Sequence, residues 1–439
     1  MKKLLSAFVL LFAAALSAQV TVLKNVDLID GTGATHKRGV SILISSGRIR
    51  DVRPADQFKL PSGANVVDLS GKTVMPGIIN LHGHVGLVKG LTQARENYTR
   101  DNIEAQLRAY ASYGVTSLVS MGSDIEPELI LRIRDAQRDG RINGARVYTA
   151  GRGFTALNGY PAVLPGNKGV PFEVSTAAQA RAYVDQLAKM RVDLVKMWVD
   201  DELGRYQKLA PEVSSAIIDQ AHRHKLKAAA HLFYLADAKS LLDAGLDAMA
   251  HSVRDKEVDA ELIAKLKRNN ATAIATLTRE QSVFVYADSP PWLDDPFFQR
   301  GVSPETIATL KSDAYRNKVA GNPDAAKFRE FFQTASRNLK KLSDAGVRIG
   351  FGTDTGPPGR IQGFFEHWEM ELMVQAGLTP MQVIQSASKN AAEYLGVTHD
   401  FGTLEKGKYA DLIVLDKNPL DDIRNTHSIQ AVYIGGQKQ

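Results

Sequence analysis

Hydrophobic positions change their spacing twice along the chain. Segments 20–28, 40–44, 48–52 and 66–69 read as strands, separated by turn residues in Asp30-Gly31-Thr32-Gly33 and Ser45-Ser46-Gly47. From residue 77 onward, short apolar runs alternate with amphipathic helical stretches such as 102–113 and 176–189. That alternation is the signature of a parallel sheet with crossover helices. The apolar runs are 77–82, 116–120, 146–150, 193–199, 227–231, 248–252, 272–276 and 348–352, enough to close a barrel. Near the C-terminus, 410–415 and 431–434 read as strands again. Two or three strands are marginal on their own. The expected fold is therefore α/β: a (β/α)8 TIM barrel over 77–401, with 19–76 and 402–439 joining in one composite β-sandwich. Segment 281–338 breaks the rhythm with a long polar, aromatic-rich stretch that includes Asp288-Ser289-Pro290-Pro291-Trp292 and Phe297-Phe298. It reads either as a lid or substrate wall at the catalytic face, or as a helical excursion over the outside.

The first residues have a different pattern. Lys2 and Lys3 precede an apolar run, 4–16, and then the small residues Ser17 and Ala18. Residues 1–18 read as a signal peptide cleaved near Ala18, which predicts a secreted or periplasmic protein; the other reading is an uncleaved N-terminal anchor. With no cysteine in the chain, disulfides, thiolate metal ligands and a lipidated cysteine are excluded, so any metal site must use His, carboxylate or Lys. The formal charge is +6, but basic residues are mixed with acidic ones and form no run interleaved with aromatics. A mildly basic surface is expected, with no nucleic acid partner and no stable membrane insertion.

Ten histidines are present, and the informative ones sit at strand ends. His82 and His84, in Leu81-His82-Gly83-His84, end the first barrel strand; on extended backbone, residues two apart share a face. His231 ends the fifth strand, His251 the sixth, and Asp354 follows the eighth in Gly352-Thr353-Asp354. In a closed barrel all five converge at one mouth, where such folds carry their chemistry. A lone His-x-His is weak, and His222-Arg223-His224 precedes a strand, on the opposite face. His36, His367, His399 and His427 lack strand-end context and read as surface or structural. Lys196 is unusual because it lies within the apolar strand Leu194-Val195-Lys196-Met197-Trp198, where an unpaired ammonium group is expensive. It reads either as a snorkelling side chain paired with Asp200 or as part of the same site.

These residues resemble the amidohydrolase superfamily over nearly the whole chain. The resemblance extends to Val26-Asp27-Leu28-Ile29-Asp30-Gly31-Thr32-Gly33 and Gly71-Lys72-Thr73-Val74-Met75-Pro76-Gly77 before the barrel. After it, Gly402-Thr403-Leu404-Glu405-Lys406-Gly407-Lys408-Tyr409-Ala410-Asp411-Leu412 is similar to the family's return strand. The resemblance implies two divalent ions, with Zn²⁺ first among the candidates. It also implies that Lys196 is carboxylated by CO₂ to a carbamate bridging both. His82, His84 and Asp354 would hold the more buried ion, and His231 and His251 the other. Asp354 would shuttle the proton from a metal-bridging hydroxide to the leaving amine.

The implied reaction is hydrolysis of the C–N amide bond in a small-molecule substrate. Candidates are Xaa-Pro-like dipeptides or N-acyl amino acids, including ochratoxin-like aryl-acyl amino acid amides. Tyr234 and Arg254 follow two of the ligands and are candidate contacts for a substrate carboxylate. For Arg254 the alternative is a salt bridge to Asp255. Trp198, Phe233 and the aromatics of 281–338 read either as an acyl pocket or as core. Other readings are an imidazolonepropionase-like cyclic amide hydrolase, a lactonase or a phosphotriesterase on the same site, and a non-catalytic periplasmic binding protein. Assembly as a homo-oligomer is expected.

Overall fold

The computed structural model describes residues 20–439; the expected signal peptide, 1–18, lies outside them. The N-terminal strands are β1 (Thr21–Leu28), β2 (Lys37–Ser45), β3 (Arg48–Pro54), β4 (Asn65–Asp68) and β5 (Thr73–Pro76). The middle of the chain contributes β6 (Ile78–Gly83), the short hairpin β7 (Val88–Lys89) and β8 (Thr92–Gln93), β9 (Val115–Ser120), β10 (Arg146–Thr149), β11 (Phe154–Ala156) and β12 (Phe172–Val174). It continues with β13 (Val195–Val199), β14 (Ala228–Leu232), β15 (Ala248–Ala250), β16 (Thr272–Ile274) and β17 (Arg348–Gly350). The chain closes with β18 (Leu412–Leu415), β19 (Ile429–Ile434) and β20 (Gln437–Lys438).

Strands from the two ends of the described chain form one sheet in the order β20-β19-β18-β5-β1-β2-β3, with β4 also on β1. Val74 and Met75 of β5 pair antiparallel with Val414 and Ile413 of β18. The sheet curls back on itself: the Ile49 amide donates to Lys408 O, and the Ala410 amide to Gly47 O. Alternate residues Leu23, Val40, Ile42, Ile44, Leu412 and Val414 point into the enclosed apolar core, as a period of two requires. Arg146 ties this sheet to the barrel by pairing with Asp411, whose other oxygen accepts from the Gly435 amide at 2.7 Å.

The barrel strands are β6, β9, β10, β13, β14, β15, β16 and β17, all parallel to their neighbours. Two seams are closed by a few backbone bonds at and beyond the strand ends rather than by long ladders, with β11 also pairing β13 at the first of them. The Asp193 amide donates to Thr149 O, joining β10 to β13, and the Leu81 amide donates to Phe351 O, joining β17 to β6. Small side chains, Ala229, Ala248 and Ala250, fill the lumen with Leu81, Val119 and Ile274, and helix Lys389–Leu395 adds Ala391, Ala392 and Tyr394 to that cluster. The lumen is therefore a packed core, and chemistry is confined to its C-terminal mouth.

Segment 281–338 is helical for much of its length. Its aromatics Tyr286, Trp292, Phe297 and Phe298 pack on Tyr113, Phe364 and Phe365. This packing consumes the apolar surface that an exposed, mobile lid would have to leave free. The segment still reaches the mouth through Tyr286, whose hydroxyl donates to Gly359 O, and Ser282, which accepts from Arg360 at 3.1 Å. Among the described residues, no helix is long and apolar enough to cross a membrane.

Candidate metal centre

β6 delivers His82 and His84 to the mouth as successive residues of one face, and β14 and β15 deliver His231 and His251. The ring centroids of His82 and His251 are 4.6 Å apart, those of His231 and His251 4.2 Å, and those of His82 and His84 5.5 Å. Asp354 Oδ1 lies 2.9 Å from His84 Nε2 and 3.4 Å from His82 Nε2. The ligand atoms of His82, His251 and Asp354 all fall within 4.8 Å of one another.

Each imidazole but one is oriented through its other nitrogen. His84 Nδ1 meets Ser123 Oγ at 2.7 Å, His251 Nδ1 meets Thr276 Oγ1 at 2.6 Å, and His231 Nε2 meets Asp200 Oδ2 at 2.7 Å. Such outer partners fix ring orientation and tautomer in metal sites. His82 Nδ1 has no partner among the described residues. Two positions bear backbone strain: Asp354 (φ 57) and Thr276 (φ 52) are both left-handed. For a side chain this conformation persists only where its surroundings hold it.

Beneath Asp354 is a buried polar lattice. Asn80 Oδ1 accepts from the His82 amide at 2.8 Å, and its Nδ2 donates to Glu366 Oε1 at 2.6 Å and to Thr353 Oγ1 at 2.8 Å. Thr353 and Thr355 each donate to the same Glu366 oxygen at 2.8 Å, and the Gly363 amide donates to Oε2 at 2.7 Å. Glu366 thus clamps the residues on both sides of Asp354, while Asn80 joins that clamp to His82. Asn80→Ala removes one donor from a fully buried carboxylate and leaves the His82 amide without its acceptor. We expect a loss of about 2–4 kcal/mol in urea unfolding. An unfolding midpoint equal to wild type would contradict this role.

Lys196 lies opposite Ala229 on β14, fully buried. Its Nζ makes no hydrogen bond among the described residues, and Asp200, the partner considered from sequence, is engaged with His231 instead. Gly122 is required beside it, because a Cβ there would come 2.9 Å from Lys196 Cγ. Burial pulls the Lys196 amine down to about 7, with the Asp354 charge only partly opposing it. Burial also lowers His231 to about 4 despite its bond to Asp200, and takes His82 and His251 well below the ordinary imidazole range. Burial alone would raise the Asp354 carboxyl, but Arg360, His82 and His84 hold it well below its usual range. The mouth therefore presents neutral imidazoles, an unpartnered amine poised near neutrality and an ionised carboxylate. That donor chemistry fits divalent cations.

The cavity beside this cluster has a volume of about 270 Å³. Its apolar wall includes Val85, Leu87, Leu164, Val170 and Trp198, and its polar wall includes Ser123, Asp354 and Arg360. Trp198 is thus a wall residue, and no residue of 281–338 lines the cavity. The two substrate contacts expected from sequence are placed elsewhere. Tyr234 donates its hydroxyl to Asp201 at 2.8 Å. Arg254 is fully buried, with Nη1 on the carbonyls of Leu232 and Ser252 at 2.9 Å and Nε 3.0 Å from Glu280 Oε1. Its guanidinium also packs 4.6 Å from the centroid of the Phe233 ring. Asp255, the alternative partner, instead accepts from the Leu235 amide at 2.8 Å. Arg254 is a structural cation behind His231, because its counter-charges are within the wall.

Sequence reasoning did not anticipate Asn80, Ser123, Thr276, Arg360 or Glu366. Two left a signal. Asn80 shares the His82 and His84 strand face, and Glu366 is an acid in the otherwise apolar run Phe364-Phe365-Glu366-His367-Trp368.

Comparison with known proteins gives the following. The sequence profile of the amidohydrolase family matches residues 73–438. Ochratoxinase of Aspergillus niger is 24% identical over 463 aligned positions, covering 96% of this chain and 86% of that protein. Imidazolonepropionase of Streptomyces avermitilis is 23% identical and covers 86% of this chain and 80% of that protein. A Xaa-Pro dipeptidase solved with methionine in its active site superposes with a TM-score of 0.76 at 22% identity, covering 96% of this chain and all of that one.

Proposed function

The chain belongs to the amidohydrolase family, and from that membership we propose that this hydrolase cleaves the C–N amide bond of Xaa-Pro-like dipeptides or N-acyl amino acids, ochratoxin-like aryl-acyl amino acids among them. The observation that carries the reading is the convergence of His82, His84, His231, His251 and Asp354 around Lys196, whose buried amine has no partner. The names of the similar proteins, a dipeptidase and an ochratoxinase, support the same bond class.

In this reading His82, His84 and Asp354, together with His231 and His251, would hold two divalent ions, and Lys196 would contribute to that donor set as a carbamate. An amine near neutrality has a free-base fraction at physiological pH, which is the form that adds to CO₂; the addition would release one proton to solvent and give an anion whose charge bound divalent cations would neutralise. Bound cations supply Lewis acidity toward a water and toward the amide carbonyl. The chain's own residues do the rest. Asp354 Oδ atoms face the cavity and accept the proton of the attacking water, then return it to the leaving nitrogen. Ser123, Thr276 and Asp200 keep the imidazoles in register. Val85, Leu87 and Trp198 exclude bulk water from the acyl side. Residues 1–18 act as an export signal in this reading, and the mature protein works outside the cytoplasm.

The test uses the mature protein loaded with Zn²⁺ in bicarbonate buffer. Xaa-Pro and other dipeptides and N-acyl amino acids are supplied, and released amino acids are quantified. Release that disappears in Lys196→Ala supports the assignment and ranks the substrates. No release from any member with two metals bound removes it, and lactones, phosphotriesters and cyclic amides are then the next substrates.

A further inference from the structure

The steps above give Arg360 no part, yet among the residues lining the cavity it alone has a permanent positive charge. Its Nε donates to Ser282 Oγ at 3.1 Å, and its Nη1 pairs with Asp354 Oδ2 and lies 3.4 Å from Asp354 O. Its Nη2 makes no hydrogen bond to the described residues, and the side chain is 15% exposed. Arg360 also lines a neighbouring cavity of about 230 Å³ with Lys89, Gly301 and Ser303, so it stands where the two spaces meet.

Asp354 is the only carboxylate on the cavity wall, and it is also the one carboxylate of the proposed metal set. A divalent cation that takes up the charge of Asp354 leaves Arg360 without a counter-ion in the wall. A guanidinium in that condition is a receptor for a planar anion, since its donors form a fixed fork that matches a carboxylate. In an N-acyl amino acid or a dipeptide, the free α-carboxylate is three bonds from the scissile carbonyl carbon. An anion there would be held beside Asp354, which is where Arg360 stands.

We propose that Arg360 is the specificity-determining residue that receives the substrate carboxylate, and that cation binding at Asp354 releases it for this role. The substrate class is then amides bearing a free α-carboxylate, in preference to neutral carboxamides or anilides. The inference rests on the amide-hydrolase reading for its chemistry, though not for its test. Arg254, the other arginine considered for a substrate carboxylate, is sequestered behind His231, and Val85, Leu87, Leu164 and Val170 give the wall an apolar stretch that suits the acyl group.

The test is calorimetric and needs no turnover. The probe is 3-benzoylpropionate, in which a CH₂ replaces the amide NH of N-benzoylglycine, and its control is the neutral 3-benzoylpropionamide. On the zinc-loaded full chain, the acid is expected to bind about thirtyfold more tightly than the carboxamide, the range of a charge-assisted bidentate contact. Arg360→Gln collapses that ratio to within about threefold, and Arg360→Lys retains part of it. Stripping the zinc from wild type weakens the acid about tenfold or more, because Arg360 then returns to Asp354. Equal affinity of the acid for wild type and Arg360→Gln would overturn the proposal and assign the anion to the zinc alone. An acid no tighter than its carboxamide would also overturn it. If Arg360→Gln fails to fold, the ratio in Arg360→Lys decides: a ratio equal to wild type overturns the proposal, and a reduced one supports it. Hydrolysis is assayed separately on N-benzoylglycine and the full panel of dipeptides and N-acyl amino acids: a preserved acid preference with no amino acid released from any of them upholds Arg360 and removes the amide-hydrolase reading.

Discussion

Lys196→Met is expected to reduce turnover at least about a thousandfold while making the zinc-stripped fold more stable. The two effects have one cause. In the folded protein the Lys196 amine is fully buried without a partner, and burial lowers it to about 7 from an ordinary 10.5. Below pH 7 the amine is charged in both the folded and unfolded states, and folding carries the full penalty of burying it. Between about 7 and 10.5 the unfolded chain alone holds the proton, so stability rises with pH. Above 10.5 the penalty is gone. The span is on the order of 5 kcal/mol by proton linkage. Methionine has nearly the same volume and no charge, so it removes the penalty at every pH. The check is urea unfolding of zinc-stripped wild type and variant in bicarbonate-free buffer at pH 6 and pH 9. The variant should lead clearly at pH 6, with a smaller margin at pH 9. Zinc content measured on separate samples of both proteins, reloaded with Zn²⁺ in bicarbonate buffer, should be lower in the variant, since the proposed metal-holding group is gone. A variant less stable than wild type at pH 6, or one that retains two zinc ions and full turnover, would contradict the assignment of Lys196 to the centre.

The second large effect falls on Asp354. Asp354→Asn should reduce turnover by roughly a hundred- to ten-thousandfold, the range contributed by a positioned general acid–base group. The fold should survive, for a specific reason. Position 354 is left-handed, with φ 57, and asparagine tolerates that conformation better than most side chains. Its amide oxygen can still accept from Arg360, so the loop over 356–360 keeps its anchor. Circular dichroism and the melting temperature should therefore stay close to wild type while turnover collapses. Asp354→Ala is the harsher case, because it strands Arg360 and removes the acceptor for His84 as well. An Asp354→Asn enzyme retaining more than a tenth of wild-type turnover would remove the residue from the proton path.

Both effects concern residues visible in the sequence, and the reason is local. Strand-end position is a matter of one-dimensional pattern: an apolar run ends, and the next polar side chain stands at the barrel mouth. His82, His84, His231, His251 and Asp354 were each placed by that rule, and Lys196 by the anomaly of a cation within an apolar strand. The eight barrel strands and β1 to β4, β18 and β19 follow from the same periodicity, whereas β5, which joins the two ends and is buried on both faces, and the short β20 were not read from it. Their assembly into one sheet follows from the marginal stability of either set alone.

What the pattern does not encode is the identity of the partner across a gap. Arg254 and Arg360 are both arginines beside the mouth, and nothing in their neighbours separates them. The fold turns Arg254 inward onto Glu280 and two carbonyls, and turns Arg360 outward onto Asp354 and the cavity. Segment 281–338 has enough aromatics for a lid, but Tyr113, Phe364 and Phe365 meet them and bury them. Glu366 is far from His82 in the chain yet reaches it through Asn80. Which residues stand at the mouth is legible along the chain, because periodicity reports which face of an element is buried. Which charges neutralise one another there is set by the fold, because burial and pairing depend on what packs opposite, and the partners are distant in the chain.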